Sequence, residues 1–221
     1  LACIPHQKVP NMSLHLIIGD KLHSSWSLRG ALALDLAGVP YTEELIKLNQ
    51  PDTRERLLQH SPTGKVPLLK TEHGTIADSL AIAEYLAEQF PDAGLWPKDT
   101  AARAQARSAC AQMHSGFFAM RGNMPFDLSH DAALSPAPAD VQADIERMLA
   151  LWAECRAAAT ETGPFLFGGA TLADAFFAPI AVRLRTYQVR LPAADAAYVE
   201  TIYQWPAFKA WQKAGLEEIE G

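Results

Sequence analysis

His23-Ser24-Ser25-Trp26-Ser27-Leu28-Arg29 lies between two apolar segments of different kinds. Before it runs Leu14-His15-Leu16-Ile17-Ile18, short and apolar as a buried strand is; after it, Leu28 to Gly38 reads as an apolar helix closed by glycine. Three hydroxyls thus fall at a strand-to-helix junction. A serine there can cap the helix, and the free N–H groups and positive dipole end of the same junction seat an anion such as a thiolate or carboxylate. On the residues alone both readings stand.

Working outward, Tyr41 to Ile46 is a possible second strand and Pro51 to Leu58 a short polar helix. Lys65-Val66-Pro67-Leu68-Leu69-Lys70 and Gly74-Thr75-Ile76-Ala77 read as two strands around the turn Glu72-His73-Gly74. The order is βαβ, helix, β-hairpin. Ser79 to Phe90 follows as an amphipathic helix, with Ile82, Leu86 and Phe90 at a four-residue spacing, stopped by Pro91-Asp92-Ala93-Gly94. Residues 12–90 form one expected domain, 91–97 a linker and 98–221 a second domain that is almost all helix. In that half Ala106, Cys110, Met113, Phe117 and Met120 are spaced by fours and threes, predicting one long helix, and Val141 to Ala159 repeats the pattern. Between them Pro125 to Pro138 is a loop long enough for a binding or lid role, though plain surface loops are commoner. Thr171-Leu172-Ala173-Asp174 has the form of a capping box, and Pro192 and Pro206 stand where later helices can begin.

The 221 residues suffice for one large domain or two small ones; 49% hydrophobic and 20% charged content is ordinary for a soluble protein, and the net charge of −6 favours neither nucleic acid nor an anionic membrane surface. No apolar run approaches the roughly 20 residues that span a bilayer. Cys3, Cys110 and Cys155 are too far apart for a C-x-x-C pair or a metal site, so a reduced, cytoplasmic setting and no metal are expected. Residues 1–11 lack the apolar core of a signal peptide and are read as an upstream or expression-derived tail, with Met12 the natural start.

Two further spots bear on function. In Lys65-Val66-Pro67 the proline belongs at the start or edge of a strand, and a cis bond there would present the preceding residue's N–H and C=O to a ligand, although the base rate for X-Pro bonds favours trans. At Asp78-Ser79, Ser79 can cap the following helix, or its hydroxyl and the local N–H groups can hold a ligand carboxylate while Asp78 attracts an ammonium.

In combination these features resemble the cytosolic glutathione S-transferase family, over Met12 to about Trp211. Ser24-Ser25-Trp26-Ser27-Leu28-Arg29 is similar to the zeta-class motif Ser-Ser-Cys-Ser-x-Arg; Asp78-Ser79-Leu80-Ala81-Ile82-x-Glu84-Tyr85-Leu86 resembles the family's acid-Ser-x-Ala-Ile-x-x-Tyr-Leu signature; and Thr171 to Asp174 matches its C-terminal capping motif. The resemblance implies an α/β thioredoxin-like N-terminal domain that binds glutathione as co-substrate, an all-α C-terminal domain that shapes the second-substrate pocket, and a homodimer built from the Ser79–Phe90 and Asp99–Arg121 helices. It implies that Ser24 donates its O–H to the glutathione thiolate, with Ser25 its rival, that Lys65, Val66 and a cis Pro67 meet the cysteinyl part, and that Asp78 and Ser79 hold the γ-glutamyl end. Trp26, Phe117, Met120, Arg121 and Phe126 are the candidate second-substrate residues, although most aromatics and methionines at such spacing are core; Arg121 on an apolar stripe could meet an acidic substrate.

Trp26 stands where the zeta motif has cysteine, and no cysteine lies near the motif to act as a thiol-disulfide nucleophile. Activation of glutathione's own thiol remains. A free thiol has a pKa of about 8.5; a hydrogen bond to a charged group contributes roughly 1.5–3 kcal/mol and a helix N-terminus roughly 0.3–1, together lowering that value by about one to three. Thiolate then predominates at neutral pH without a metal or general base. The expected activity is a transferase in which the thiolate attacks a small apolar electrophile; a glutathione-dependent isomerase or lyase of a catabolic intermediate, and a non-catalytic binding protein on the same fold, are the alternatives.

Overall fold

The strand that precedes the serine motif lies inside a four-stranded mixed sheet of order β2-β1-β3-β4. The computed structural model describes residues 13–219, so the upstream tail, Met12 and Cys3 fall outside the described residues. The strands are β1 (Leu14–Ile18), β2 (Tyr41–Leu45), β3 (Leu68–Thr71) and β4 (Gly74–Ala77). β1 pairs in parallel with β2 (Leu14 opposite Tyr41) and antiparallel with β3 (Leu16 opposite Leu69), and β3 and β4 close the hairpin. The two-residue period of β1 decides what each face carries. Leu14, Leu16 and Ile18 turn into the main core, whereas Ile17 packs with Ile46, Leu57 and Leu68 in a small second core on the opposite face.

The helices are α1 (Ser25–Ala37), α2 (Thr53–His60), α3 (Ser79–Gln89), α4 (Thr100–Ser115), α5 (Phe118–Asn123), α6 (Ala139–Ala158), α7 (Leu172–Thr186), α8 (Ala193–Gln204) and α9 (Pro206–Glu217). α1 and α3 cover one face of the sheet, and α1 also packs on α7, whose buried face includes Phe176, Phe177, Ile180 and Leu184. One core therefore runs from the sheet through α1 into the helical half. The capping box at the start of α7 is present in full. Asp174 accepts from the Thr171 N–H (2.8 Å) and Oγ1–H (3.1 Å), the Leu166 N–H (3.2 Å) and the Tyr198 O–H (3.0 Å).

Three local expectations need correction. The predicted long helix through Met120 is broken: α4 ends at Ser115, Gly116 is extended, and Phe117 has φ 59° before α5 begins. A Cβ at residue 116 would lie 2.8 Å from the Gln112 carbonyl oxygen, so glycine permits the break that the spacing of apolar residues concealed. The hairpin strand starts at Leu68, leaving Lys65 to Pro67 as the segment leading into it. Asp78 rather than Ser79 caps α3, because Asp78 carries the non-helical backbone a cap requires and its Oδ1 accepts from the Leu80 N–H at 2.8 Å.

Candidate active site

The three serines of the motif divide the work at the start of α1. Ser24 is the N-cap, with extended backbone; its Oγ accepts from the Ser27 N–H at 3.3 Å, and its own O–H is donated to Ser27 Oγ at 2.8 Å. Ser27 Oγ also accepts from the Gly19 N–H (3.0 Å), tying the helix to the end of β1. Ser25 occupies the first helical position and is buried. The N–H groups of Ser25 and Trp26 open the helix and have no intrahelical acceptor, so capping by Ser24 leaves an anion seat in place. The loop ahead of the motif is held from the far end of the chain. Lys21 and Leu22 donate their N–H groups to the Glu218 carboxylate (3.0 and 3.2 Å), and Trp211 Nε1–H donates to the Lys21 carbonyl at 3.0 Å. No local sequence signal marks that anchoring.

The other two motif segments close in on the same helix start. The Val66-Pro67 bond is cis, as the resemblance implies. Pro67 rests on Gly30 of α1: a Cβ there would meet Pro67 Cβ and Cγ at 3.1 Å, so the absent side chain sets how closely the turn approaches. Val66 is half-buried and Lys65 exposed. At the start of α3, Asp78 has φ 85°, a sparsely populated region that the surroundings must enforce and that recurs at functional sites. The Ser79 hydroxyl next to it is buried and has no hydrogen-bond partner.

His114, near the end of α4, links the two helix starts. Its Nε2 lies 3.1 Å from Asp78 Oδ2, and its ring meets the Trp26 indole edge-on at 5.2 Å between centroids. Around Trp26 stand two guanidinium groups, Arg29 with Cζ 4.4 Å from the ring centroid and Arg121 at 4.8 Å. Of the five residues expected at a second-substrate pocket, Trp26 and Arg121 meet here. Phe117 is buried with Arg147 Cζ 3.7 Å from its ring, Met120 is fully buried, and Phe126 lies buried beneath Arg183. These three sit in the core.

Arg29 and His114 did not figure among the residues expected at this site. Arg29 is the arginine that ends the serine motif, where it carried no assigned role, and nothing local distinguished His114. Arg29 is 1% exposed. Burial, with Arg183 and Arg121 contributing next, pulls its guanidinium down to about 9. Cys110 and Cys155 are buried in the helical half, where burial holds both thiols high, Cys155 at about 12. Neither is a nucleophile at neutral pH. Two concave surfaces lie elsewhere, one lined by Trp96, Thr160 and Thr171 of the capping motif and one by Pro51, Arg54, Glu55, Leu58 and Gln59, and neither includes a residue of the serine, Val-Pro or Asp-Ser segments. Among the described residues no group of three or more His, Cys, Asp or Glu could hold a metal ion, and no helix is long and apolar enough to cross a membrane.

Residues 23–89 match the family model described as glutathione S-transferase, N-terminal domain, and residues 99–214 match that described as glutathione S-transferase, C-terminal domain. The chain belongs to the glutathione S-transferase family. Among curated relatives, the chain is 39% identical over 42% of its length to a probable maleylacetoacetate isomerase of Caenorhabditis elegans, and 37% identical over 45% to the maleylacetoacetate isomerase of Mus musculus. Those alignments span 44% and 48% of the relatives, under half of each. Likeness to solved structures extends over nearly the whole chain. A maleyl pyruvate isomerase described as a bacterial zeta-class glutathione S-transferase superposes with TM-score 0.71 at 24% identity, over 90% of this chain and 97% of that one. A sphingomonad glutathione S-transferase complexed with glutathione does so with TM-score 0.63 at 26% identity, over 91% and 98%.

Proposed function

We propose that this glutathione S-transferase binds glutathione across the starts of α1 and α3 and presents its thiolate to an electrophilic carbon. The observation that carries the reading is the convergence of those two helix starts through His114, with the buried Ser79 hydroxyl left without a protein partner. A ligand carboxylate meets the Ser79 O–H and the opening N–H groups of α3; the γ-glutamyl ammonium meets Asp78; Val66, with Lys65 and Pro67 on either side, takes the cysteinyl backbone. The sulfur then reaches the start of α1. Ser24 turns its O–H from Ser27 to the sulfur, with the Ser25 and Trp26 N–H groups adding the positive end of the helix. In the unliganded arrangement that proton is committed to Ser27, so the exchange replaces a neutral hydrogen bond by a charge-assisted one, roughly twice as strong.

The primary reading is transfer: the thiolate forms a C–S bond and displaces a leaving group. Isomerisation is the second, favoured by the curated relatives that bear that name. It begins with the same addition and ends by expulsion of the thiolate after bond rotation, so it needs no additional protein nucleophile. The protein acts in the cytoplasm as a homodimer through α3 and α4. Retention on immobilised glutathione, followed by turnover of a general aryl halide, tests the reading. Asp78→Asn and Ser79→Ala are expected to raise the glutathione KM about tenfold each; unchanged KM in both variants rejects it.

A further inference from the structure

We propose that Glu218 and Trp211 are positioning residues for the Ser24 hydroxyl, holding from the helical half the turn that carries it and thereby setting the acidity of bound glutathione. The inference rests on the glutathione-dependent reading and adds to it two residues that lie outside every motif segment. Between β1 and α1 the chain turns through Gly19 to His23, and Ser24 caps the helix at its end. The placing of Ser24 follows from that turn. Its N–H donates to the Asp20 carbonyl at 2.8 Å, and Asp20 Oδ2 accepts from the Leu48 N–H at 2.9 Å. Inside the turn, the main chain of Lys21 and Leu22 bonds elsewhere. Their N–H groups donate to the Glu218 carboxylate, one to each oxygen, at 3.0 and 3.2 Å. The Lys21 carbonyl accepts from Trp211 Nε1–H at 3.0 Å and the Leu22 carbonyl from the Leu128 N–H at 3.2 Å.

All four main-chain polar groups of Lys21 and Leu22 are thus taken by the helical half, and three of the four bonds come from α9 and the residue that closes it. The approach of α9 is close because residue 215 is glycine: a Cβ there would lie 2.8 Å from Leu128 Cδ1 and 3.1 Å from the Leu22 nitrogen. The Lys21 side chain ties the turn the other way, with Nζ 2.6 Å from Glu43 Oε1 on β2 and 5.4 Å from the Trp211 ring centroid. The turn is therefore clamped between sheet and α9 two residues ahead of the reacting hydroxyl. A hydrogen bond weakens steeply with misalignment, and a working constellation has to be held within about 0.5 Å. Glu218 and Trp211 supply that hold through the turn, and neither touches the segments at Val66, Asp78 and Ser79 assigned to gripping glutathione. Freeing the turn should then spare affinity and lose thiolate.

The test reads the ultraviolet thiolate absorbance of glutathione bound to the intact enzyme against pH, with the glutathione KM for a general aryl halide and the urea midpoint beside it. Glu218→Ala is expected to leave the bound thiol about tenfold less acidic than in wild type, with the KM within about twofold. Glu218→Gln keeps one acceptor, and Trp211→Phe keeps an aromatic ring while losing the donor, so about threefold is expected of each. Because the effect passes through Ser24, Glu218→Ala added to Ser24→Ala should shift the thiol no further. A lowered urea midpoint with the thiol unchanged in all three single variants overturns the proposal, since the clamp then serves stability alone. A further shift in the double variant overturns it too, by taking the action away from Ser24. Amide hydrogen exchange at Lys21 and Leu22 needs no glutathione and covers the case in which Glu218→Ala fails to fold. Faster exchange at both in Glu218→Gln supports the clamp, and exchange equal to wild type overturns it. A wild-type bound thiol that titrates like the free one rejects the glutathione reading and the proposal with it, whereas a wild-type shift that survives in every variant rejects the proposal alone.

Discussion

Replacing Arg29 by methionine is expected to make the unliganded protein more stable. The side chain is 1% exposed and its guanidinium is held at about 9, first by burial and then by Arg183 and Arg121. An arginine in water titrates roughly three to four powers of ten higher, and each tenfold in acidity is about 1.4 kcal/mol, so the buried charge costs on the order of 4–5 kcal/mol. The cation's contacts with Trp26 and Phe176 return about 0.5–2 kcal/mol each. Methionine fills a similar volume with no charge, and replacing poorly compensated buried charges by apolar groups commonly gains about 1–4 kcal/mol. A net gain of roughly 1–2 kcal/mol is expected, or a Tm rise of about 2–8 °C for a chain of this size. The sign with pH follows from a folded value below the unfolded one. The cation is the disfavoured form, so its cost is complete below about 9 and fades as pH rises from there towards the unfolded value. The gap between variant and wild type should therefore be constant at neutral pH and narrow in alkali. Urea unfolding of both proteins at neutral pH and above 9 measures it; a variant destabilised by more than 1 kcal/mol at neutral pH would show that the chain already compensates the charge, and would refute the reasoning.

Asp174→Ala should cost about 3–5 kcal/mol in urea unfolding, because it strips the acceptor from the N–H groups of Leu166 and Thr171 and the O–H of Tyr198, all buried; a loss under 1 kcal/mol would mean water replaces it. Ser24→Ala should cost about 1 kcal/mol as a lost N-cap and Ser25→Ala less, measured the same way; the reverse order would place the cap one residue later. Gly30→Ala should raise the glutathione KM by pushing Pro67 off α1, although alanine favours a helix, and steady-state kinetics with unchanged KM would show that the turn yields freely. Native Cys110 and Cys155 should resist thiol reagents at neutral pH and react on unfolding; rapid labelling of either in the folded protein would contradict their burial.

The strand-and-helix order of the first half was legible because each element carries its own period and stop signal: Leu14 to Ile18, the glycine at 38, the hairpin around His73 and Gly74. The capping box at Thr171 and the helix-starting prolines at 192 and 206 were equally local. The end of α4 was hidden because Phe117 and Met120 keep the helical spacing of buried residues across a break that Gly116 alone permits. Capping was displaced by one residue at Asp78-Ser79, since both side chains can cap and only the backbone φ of 85° chooses between them. Arg29, His114 and Glu218 take their significance from neighbours far along the chain: Phe176, Asp78 and Lys21. Period and propensity carry no information on such contacts, so the serine motif, Arg29 included, was readable while the partners of its guanidinium and the anchors around it were not.

The central claim is that the start of α1 holds glutathione as thiolate, with the Ser24 hydroxyl as the donor. The most direct measurement is the ultraviolet thiolate absorbance of enzyme-bound glutathione against pH, in wild type and in the Ser24→Ala and Ser25→Ala variants. The account predicts a bound thiol at least tenfold more acidic than free glutathione, whose thiol titrates at about 8.5 or above. It predicts that Ser24→Ala returns most of that shift while affinity for glutathione is nearly kept. A bound thiol that titrates like free glutathione would contradict the claim outright, and a shift lost in Ser25→Ala but kept in Ser24→Ala would move the donor by one residue.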